Sequence, residues 1–135
     1  MKRRIARECA LKVLFMIDVG ENNPEEALHN MTRDVISLQA QGFCSTLVRG
    51  VVSRKEELSV KLSPYLINWR LERLAPVVRN VLLMALFEIL YMEDIPAAVT
   101  INEAVELTRL YQDEESSRFV NAVLDGLRLS DAMLD

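Results

Sequence analysis

The segment from Pro76 to Leu90 constrains the fold more than any other. Pro76 suits the first position of a helix. After it Val77, Val81, Leu82, Met84, Ala85, Leu86, Ile89 and Leu90 lie nearly all round a helical wheel. A helix that is apolar on every face has to be buried, so the rest of the chain is expected to wrap this one as its central element. No apolar run reaches the roughly 18 residues of a membrane span. Glu88 is the one acid inside the segment. An unpaired buried carboxylate is costly, which predicts a structural pairing with an Arg or a backbone donor.

The remaining pattern is helical too. Half of the 135 residues are apolar, and only four Gly and four Pro are present. β-Branched residues alternate with polar ones nowhere for long, so an all-α chain of ordinary single-domain length is expected. A first helix is predicted over Arg3–Val19, stopped by Gly20. Asn22-Asn23-Pro24 forms a turn, and Pro24 opens a second helix through Ala27, Leu28, Met31 and Val35. Gly42 is expected to break the chain ahead of a long third helix carrying Phe43, Leu47, Val51, Leu58 and Leu62. Ser63-Pro64 ends it, because the residue before proline is pushed out of helical geometry. Trp69 and Arg70–Leu74 precede the central helix, and Asp94-Ile95-Pro96 turns the chain after it. Thr100 and Glu103 have the spacing of a capping box for a helix over Ile101–Tyr111. A polar loop, Gln112–Ser116, leads to a last helix with Val120, Val123, Leu124 and Leu127 inward, and the tail after Leu129 is expected to be loose.

Charge is unevenly placed. Five of the first twelve residues are basic (Lys2, Arg3, Arg4, Arg7, Lys12) against the single acid Glu8, so this end carries +4 on a chain whose net charge is −4. An anionic partner is the usual reason for such a gathering, and nucleic acid is the commonest one. Ile5, Cys9, Val13 and Ile17, with Ala6, Ala10 and Leu14 beside them, make one apolar stripe, so the first helix packs by one face. Arg3 and Arg7 are i, i+4 neighbours with Arg4 beside them, near a helix start that already favours anions. The bland alternative is a solvated basic terminus.

No catalytic apparatus is legible. His29 is the sole histidine and has no Cys or Ser nucleophile near it in sequence. The glycines are scattered singly, which excludes a phosphate loop. Glu25-Glu26, Glu56-Glu57 and Asp113-Glu114-Glu115 read as solvated faces. Cys9 and Cys44 sit among apolar residues without partners at ligand spacing and read as reduced core thiols. No metal, cofactor or catalytic residue is expected. The basic start passes straight into an amphipathic helix without a signal-peptide pattern, so a cytoplasmic binder is expected.

Several ordered motifs resemble one known family. Arg3-Arg4-Ile5-Ala6-Arg7-Glu8-Cys9-Ala10-Leu11, closing on Leu14-Phe15, is similar to the N-terminal signature of the NusB family of transcription antitermination factors. Trp69-Arg70-Leu71-Glu72-Arg73-Leu74, then Arg79 with Ala85-Leu86-Phe87-Glu88-Ile89-Leu90, resembles the segment up to and including its central helix. Ile95-Pro96 with Val99-Thr100-Ile101-Asn102-Glu103-Ala104-Val105-Glu106-Leu107, and Ser116-Ser117-Arg118-Phe119-Val120-Asn121-Ala122-Val123-Leu124-Asp125, resemble its remaining motifs. The resemblance spans about 125 residues.

It implies an all-α NusB-like fold of two perpendicular three-helix bundles sharing a core, as a single RNA-binding domain over 1–135 with sub-bundles at about 1–62 and 64–129. It also implies a boxA element of nascent RNA as ligand and NusE, a small-subunit ribosomal protein, as partner. Through that complex RNA polymerase and other Nus factors are engaged, and premature termination is suppressed in ribosomal RNA operons. The acidic body suits a basic ribosomal protein. Both a monomer and a homodimer are permitted, and no membrane partner is implied. By position, Arg3, Arg4 and Arg7 match the RNA-contacting arginines, Lys2 extends them, and Phe15 and Phe119 are aromatic positions at the RNA or partner surface. Glu115, in the loop before the last helix, is assigned to RNA, and Glu72 and Arg79 to the partner. Thr100, Asn102 and Glu103 are assigned to cap and fold. Two positions depart from the family pattern: Val78 stands where an acid is common, and Leu83 where a second basic residue is common, which is expected to narrow the basic surface.

Two alternatives remain. The NusB-like domain that precedes an RNA cytosine methyltransferase shares the fold. It needs a downstream cofactor domain and catalytic cysteine, for which a chain ending at Asp135 is expected to have no room. A purely protein-binding helical module would use the arginines for solubility alone.

Overall fold

The computed structural model describes residues 2–33 and 37–130. Among them are six α-helices and no strand: α1 (Lys2–Gly20), α2 (Pro24–Thr32), α3 (Leu38–Leu62), α4 (Pro76–Tyr91), α5 (Ala97–Tyr111) and α6 (Glu114–Leu129). Short 3-10 turns occupy Ser63–Tyr65 and Leu71–Arg73. No described helix is long and apolar enough to cross a membrane. The chain divides into two compact units, residues 1–54 and 55–135. The division falls inside α3, where Arg54 leaves helical geometry (φ −119°, ψ 17°).

In the first unit α1 packs against α2. Its buried face is Ala6, Cys9, Ala10, Val13 and Leu14, while Ile5 is 46% exposed. The helix is therefore rolled by about one position from the stripe expected through Ile5 and Ile17. The roll carries Arg7 inward to 4% exposure. Asn23 caps α2 by accepting from the backbone N–H groups of Glu25 (3.0 Å) and Glu26 (3.1 Å), and Pro24 takes the first position as expected. α2 ends at Thr32, so the expectation for Val35 lies outside the described residues, as does that of a loose tail beyond Ser130. Gln41 Nε2 donates to the Thr32 carbonyl at 3.1 Å, and Arg49 grips the Glu25 carboxylate with two donors (2.7 and 3.1 Å). Gly42 does not break the chain. α3 starts four residues earlier, at Leu38, with the Ser37 hydroxyl accepting from the Ala40 N–H at 3.2 Å.

In the second unit α5 and α6 pack on α4 and on each other. From Asn80 to Glu88 every residue of α4 is buried, as its composition requires. The Tyr91 hydroxyl at the end of α4 donates to Glu57 on α3. The Tyr65 ring would lie 3.1 Å from a Cβ at Gly126, so this glycine in α6 serves a close approach.

The capping box did not form at Thr100. α5 starts three residues before it, with Pro96 as its flanking residue and no side-chain cap. Thr100 is instead buried and its hydroxyl donates to Glu88 Oε1 at 3.0 Å. Glu88 thus accepts from a side-chain hydroxyl on a neighbouring helix, a kind of donor that the sequence did not point to. Thr100→Val removes that donor without changing volume much. It should destabilise the protein by about 1–3 kcal/mol, the cost of a buried acceptor deprived of a partner, read from the urea-denaturation midpoint.

Candidate nucleic-acid interface

Each unit carries its own set of candidate groups. In the first, the start of α1 sets the geometry. Arg3 and Arg4 are exposed, and Lys2 belongs to the helix while its side chain lies outside the described residues. Arg3 and Arg7, one turn apart, both reach the Phe43 ring on α3, with guanidinium carbons 5.0 and 5.2 Å from its centroid. A cation over an aromatic face at this range is attracted by the ring quadrupole. The three arginines are therefore not one equivalent cluster. Arg3 and Arg4 present charge outward, whereas Arg7 is a packed group that orders the first turns of α1 against α3.

Phe15 is 39% exposed. It lies eleven residues after Arg4, and eleven steps of a 3.6-residue helix return to within about 20° of the same azimuth. Phe15 and Arg4 thus share one face of α1, about 16 Å apart along its axis. Phe43 was not singled out as a site residue, because its place on the stripe of α3 reads as core. The only sequence signal for it was an i, i+4 arginine pair capable of flanking some aromatic ring.

In the second unit a cleft of about 340 Å³ is lined by Trp69, Arg73, Leu74, Val78, Glu115 and Phe119, among others. Glu115 and Phe119, expected as site residues, are brought together here as i, i+4 neighbours on α6. Glu115 is not in a loop: Asp113 is the N-cap, accepting from the Ser116 N–H at 2.7 Å, so Glu115 sits in the first helical turn. That bond holds the Asp113 carboxyl below its usual range. Trp69 is 56% exposed and Arg73 is exposed, adding an aromatic face and a cation that the sequence reading had not assigned. Val78 lines this cleft and makes that part of its wall apolar.

Arg79 Nη1 donates to the carbonyls of Leu74 (2.8 Å) and Glu72 (3.4 Å), which ties α4 to the 3-10 turn that displays Glu72. Leu83 is fully buried. Its apolar character takes nothing from a basic surface, contrary to the expectation of a narrowed patch, because the position does not reach solvent.

Cys9 and Cys44 are buried and unbridged, and desolvation, with Cys9 alongside, pushes the Cys44 thiol up to about 12. A thiol so shifted is not a thiolate at neutral pH. Among the described residues no group of three His, Cys, Asp or Glu side chains could hold a metal ion.

Comparison with known proteins decides the family. Residues 4–128 match the NusB family. The chain belongs to it. Among curated relatives, the transcription antitermination protein NusB of Bacillus pumilus is 42% identical over 128 residues, covering 95% of each chain. The NusB of Listeria monocytogenes serotype 4a is 38% identical over 131 residues. These names denote a regulatory and not a catalytic role. Among solved structures, Thermotoga maritima NusB superposes with a TM-score of 0.87 at 34% identity, covering 92% of this chain and 88% of that one. A chain from a complex of the antitermination factors NusB and NusE with double-stranded RNA superposes at 0.85 and 26% identity, covering 93% and 94%. The all-α NusB fold follows from both sets. The match begins at Arg4, so Arg4, Arg7 and the residues of the α6 cleft fall within family-aligned positions, while Lys2 and Arg3 precede them.

The arginines separate by thermal or chemical denaturation. Arg4→Ala should change stability by no more than about 0.5 kcal/mol, as at ordinary surface sites. Arg7→Ala should cost about 1–3 kcal/mol, through a desolvated cation–π contact and the packing of its stem. Asp113→Ala should lower the melting temperature at neutral pH. Because the folded carboxyl is depressed, this contribution is present above the carboxylate range and is lost as pH falls through it, so the two proteins should converge in acid.

Proposed function

We propose that this protein is a transcription antitermination factor that binds boxA RNA jointly with NusE and suppresses premature termination in ribosomal RNA operons. RNA polymerase and other Nus factors are reached through that complex. The observation that carries the reading is the pair of outward guanidinium groups, Arg3 and Arg4, at the start of a helix on an otherwise acidic chain. Its support is the fold shared with a NusB that was solved together with NusE and double-stranded RNA.

In this reading Arg3, Arg4 and Lys2 engage phosphates, where planar guanidinium forks suit oxyanions and can also stack on bases. Arg7 holds Phe43 and keeps the first turn of α1 in place. Phe15 on the Arg4 face, and Phe119 with Glu115 in the α6 cleft, contact RNA bases or sugars. Glu72, on the turn tied down by Arg79, faces NusE, whose basic character as a ribosomal protein the acidic body complements.

The test is fluorescence anisotropy of a short boxA RNA at two salt concentrations, with and without NusE. Arg3→Ala/Arg4→Ala should flatten the log–log salt slope by about 1.4, at about 0.7 per phosphate contact on a single strand. NusE should tighten binding, and a scrambled RNA should bind more weakly. An unchanged slope together with indifference to NusE would overturn the proposal.

A further inference from the structure

We infer that Phe43 is a positioning residue for RNA binding: its ring holds the Arg3 guanidinium ready for a phosphate and does not itself touch the RNA. The inference rests on the RNA reading above and gives a part in binding to a residue that reading left outside it. Phe43 lies on α3 and is half-buried. The guanidinium carbons of Arg3 and Arg7 stand 5.0 and 5.2 Å from its ring centroid.

Two observations carry it. First, one ring is shared by two arginines of different reach. Arg7 is 4% exposed and closed to a ligand, whereas Arg3 is exposed. Like charges at i, i+4 repel, and a ring that attracts both offsets that repulsion. Both arginines have further interactions; what the ring adds is a restraint common to the two. Second, that restraint is neutral. From Ser37 to Val48 the sequence has no charged side chain, so this stretch of α3 holds the two cations with neutral groups alone. A carboxylate in the place of Phe43 would hold Arg3 and cancel its charge, whereas an aromatic face restrains it without cancelling that charge. The consequence for binding is entropic. An Arg side chain is rich in rotamers, and fixing it on a phosphate uses up that freedom. Arg3 held on the ring has given up part of it before RNA arrives, so less is lost on binding. Phe43 in this way raises affinity without adding to the number of phosphates bound.

A double-substitution cycle tests this. Affinity for a fluorescein-labelled single-stranded boxA RNA, with NusE present, is measured across a range of salt for the wild type, Phe43→Leu, Arg3→Ala and the two combined. Phe43→Leu should weaken binding by about two- to fivefold, the strength of an exposed cation–π contact. Its log–log salt slope should stay that of the wild type, because no phosphate contact is lost, whereas Arg3→Ala should shallow the slope by about 0.7. In the Arg3→Ala background Phe43→Leu should weaken binding no further, since the ring then has no phosphate-binding group to position. Phe43→Tyr, which keeps the ring, should bind like the wild type. A loss of the same factor in both backgrounds would overturn the inference, because the ring would then meet RNA directly or α1 would merely have loosened. Equal affinity of Phe43→Leu and the wild type, or a shallower slope in Phe43→Leu, would overturn it too. Circular dichroism and the melting temperature establish that the variants fold. Should Phe43→Leu fail to fold, pentafluorophenylalanine at position 43 takes its place in the same cycle, keeping a ring of similar shape without its negative face. No RNA binding by the wild-type protein would instead overturn the RNA reading itself.

Discussion

The burial of α4 is the constraint on which the second unit is organised. A helix without a polar face has no stable position at a surface, so α5 and α6 lie against it and expose their own charged faces instead. Its single carboxylate, Glu88, then needs a donor where water is excluded, and Thr100 on α5 reaches it. That bond fixes the rotation of α5 on α4 more narrowly than apolar contact would, since hydrophobic burial is not directional while a hydrogen bond is. With α5 set, the short connection through Gln112 and the Asp113 cap place the first turn of α6, and with it Glu115 and Phe119.

The first unit has a different logic. There the defining contact is polar and lies at the edge. Two arginines from consecutive turns of α1 meet one ring of α3. One of them is fully enclosed, the other keeps its exposure. The same contact therefore both seats the helix and keeps the second guanidinium at its surface.

Much of the helical framework was legible because composition and punctuation agree. Pro24, Pro64, Pro76 and Gly20 bound elements close to where the helices begin and end, and α4 announces its burial by lacking any polar stripe. Two boundaries misled for a physical reason. Thr100 and Glu103 have the spacing of a cap, but the chain after Pro96 enters helical geometry sooner, and the threonine is claimed by a buried carboxylate twelve residues back. Gly42 is tolerated inside α3 because the helix continues on both sides and a lone glycine costs only about 1 kcal/mol. At the candidate sites, sequence found the residues on α1 and α6 through local spacing. It could not find Phe43, Trp69 and Arg73, whose neighbours come from other elements, nor foresee that a roll of α1 would bury Arg7 and expose Ile5.

The division of labour among the arginines also sets how this protein responds to its ionic surroundings. Exposed guanidinium groups are screened over a Debye length of about 10 Å at 0.1 M salt, while an enclosed one is screened much less. Raising ionic strength thus weakens the outward charges without loosening the Arg7–Phe43 seat. Release of any polyanion held by the outward charges and loss of structure would in this way fall at different thresholds.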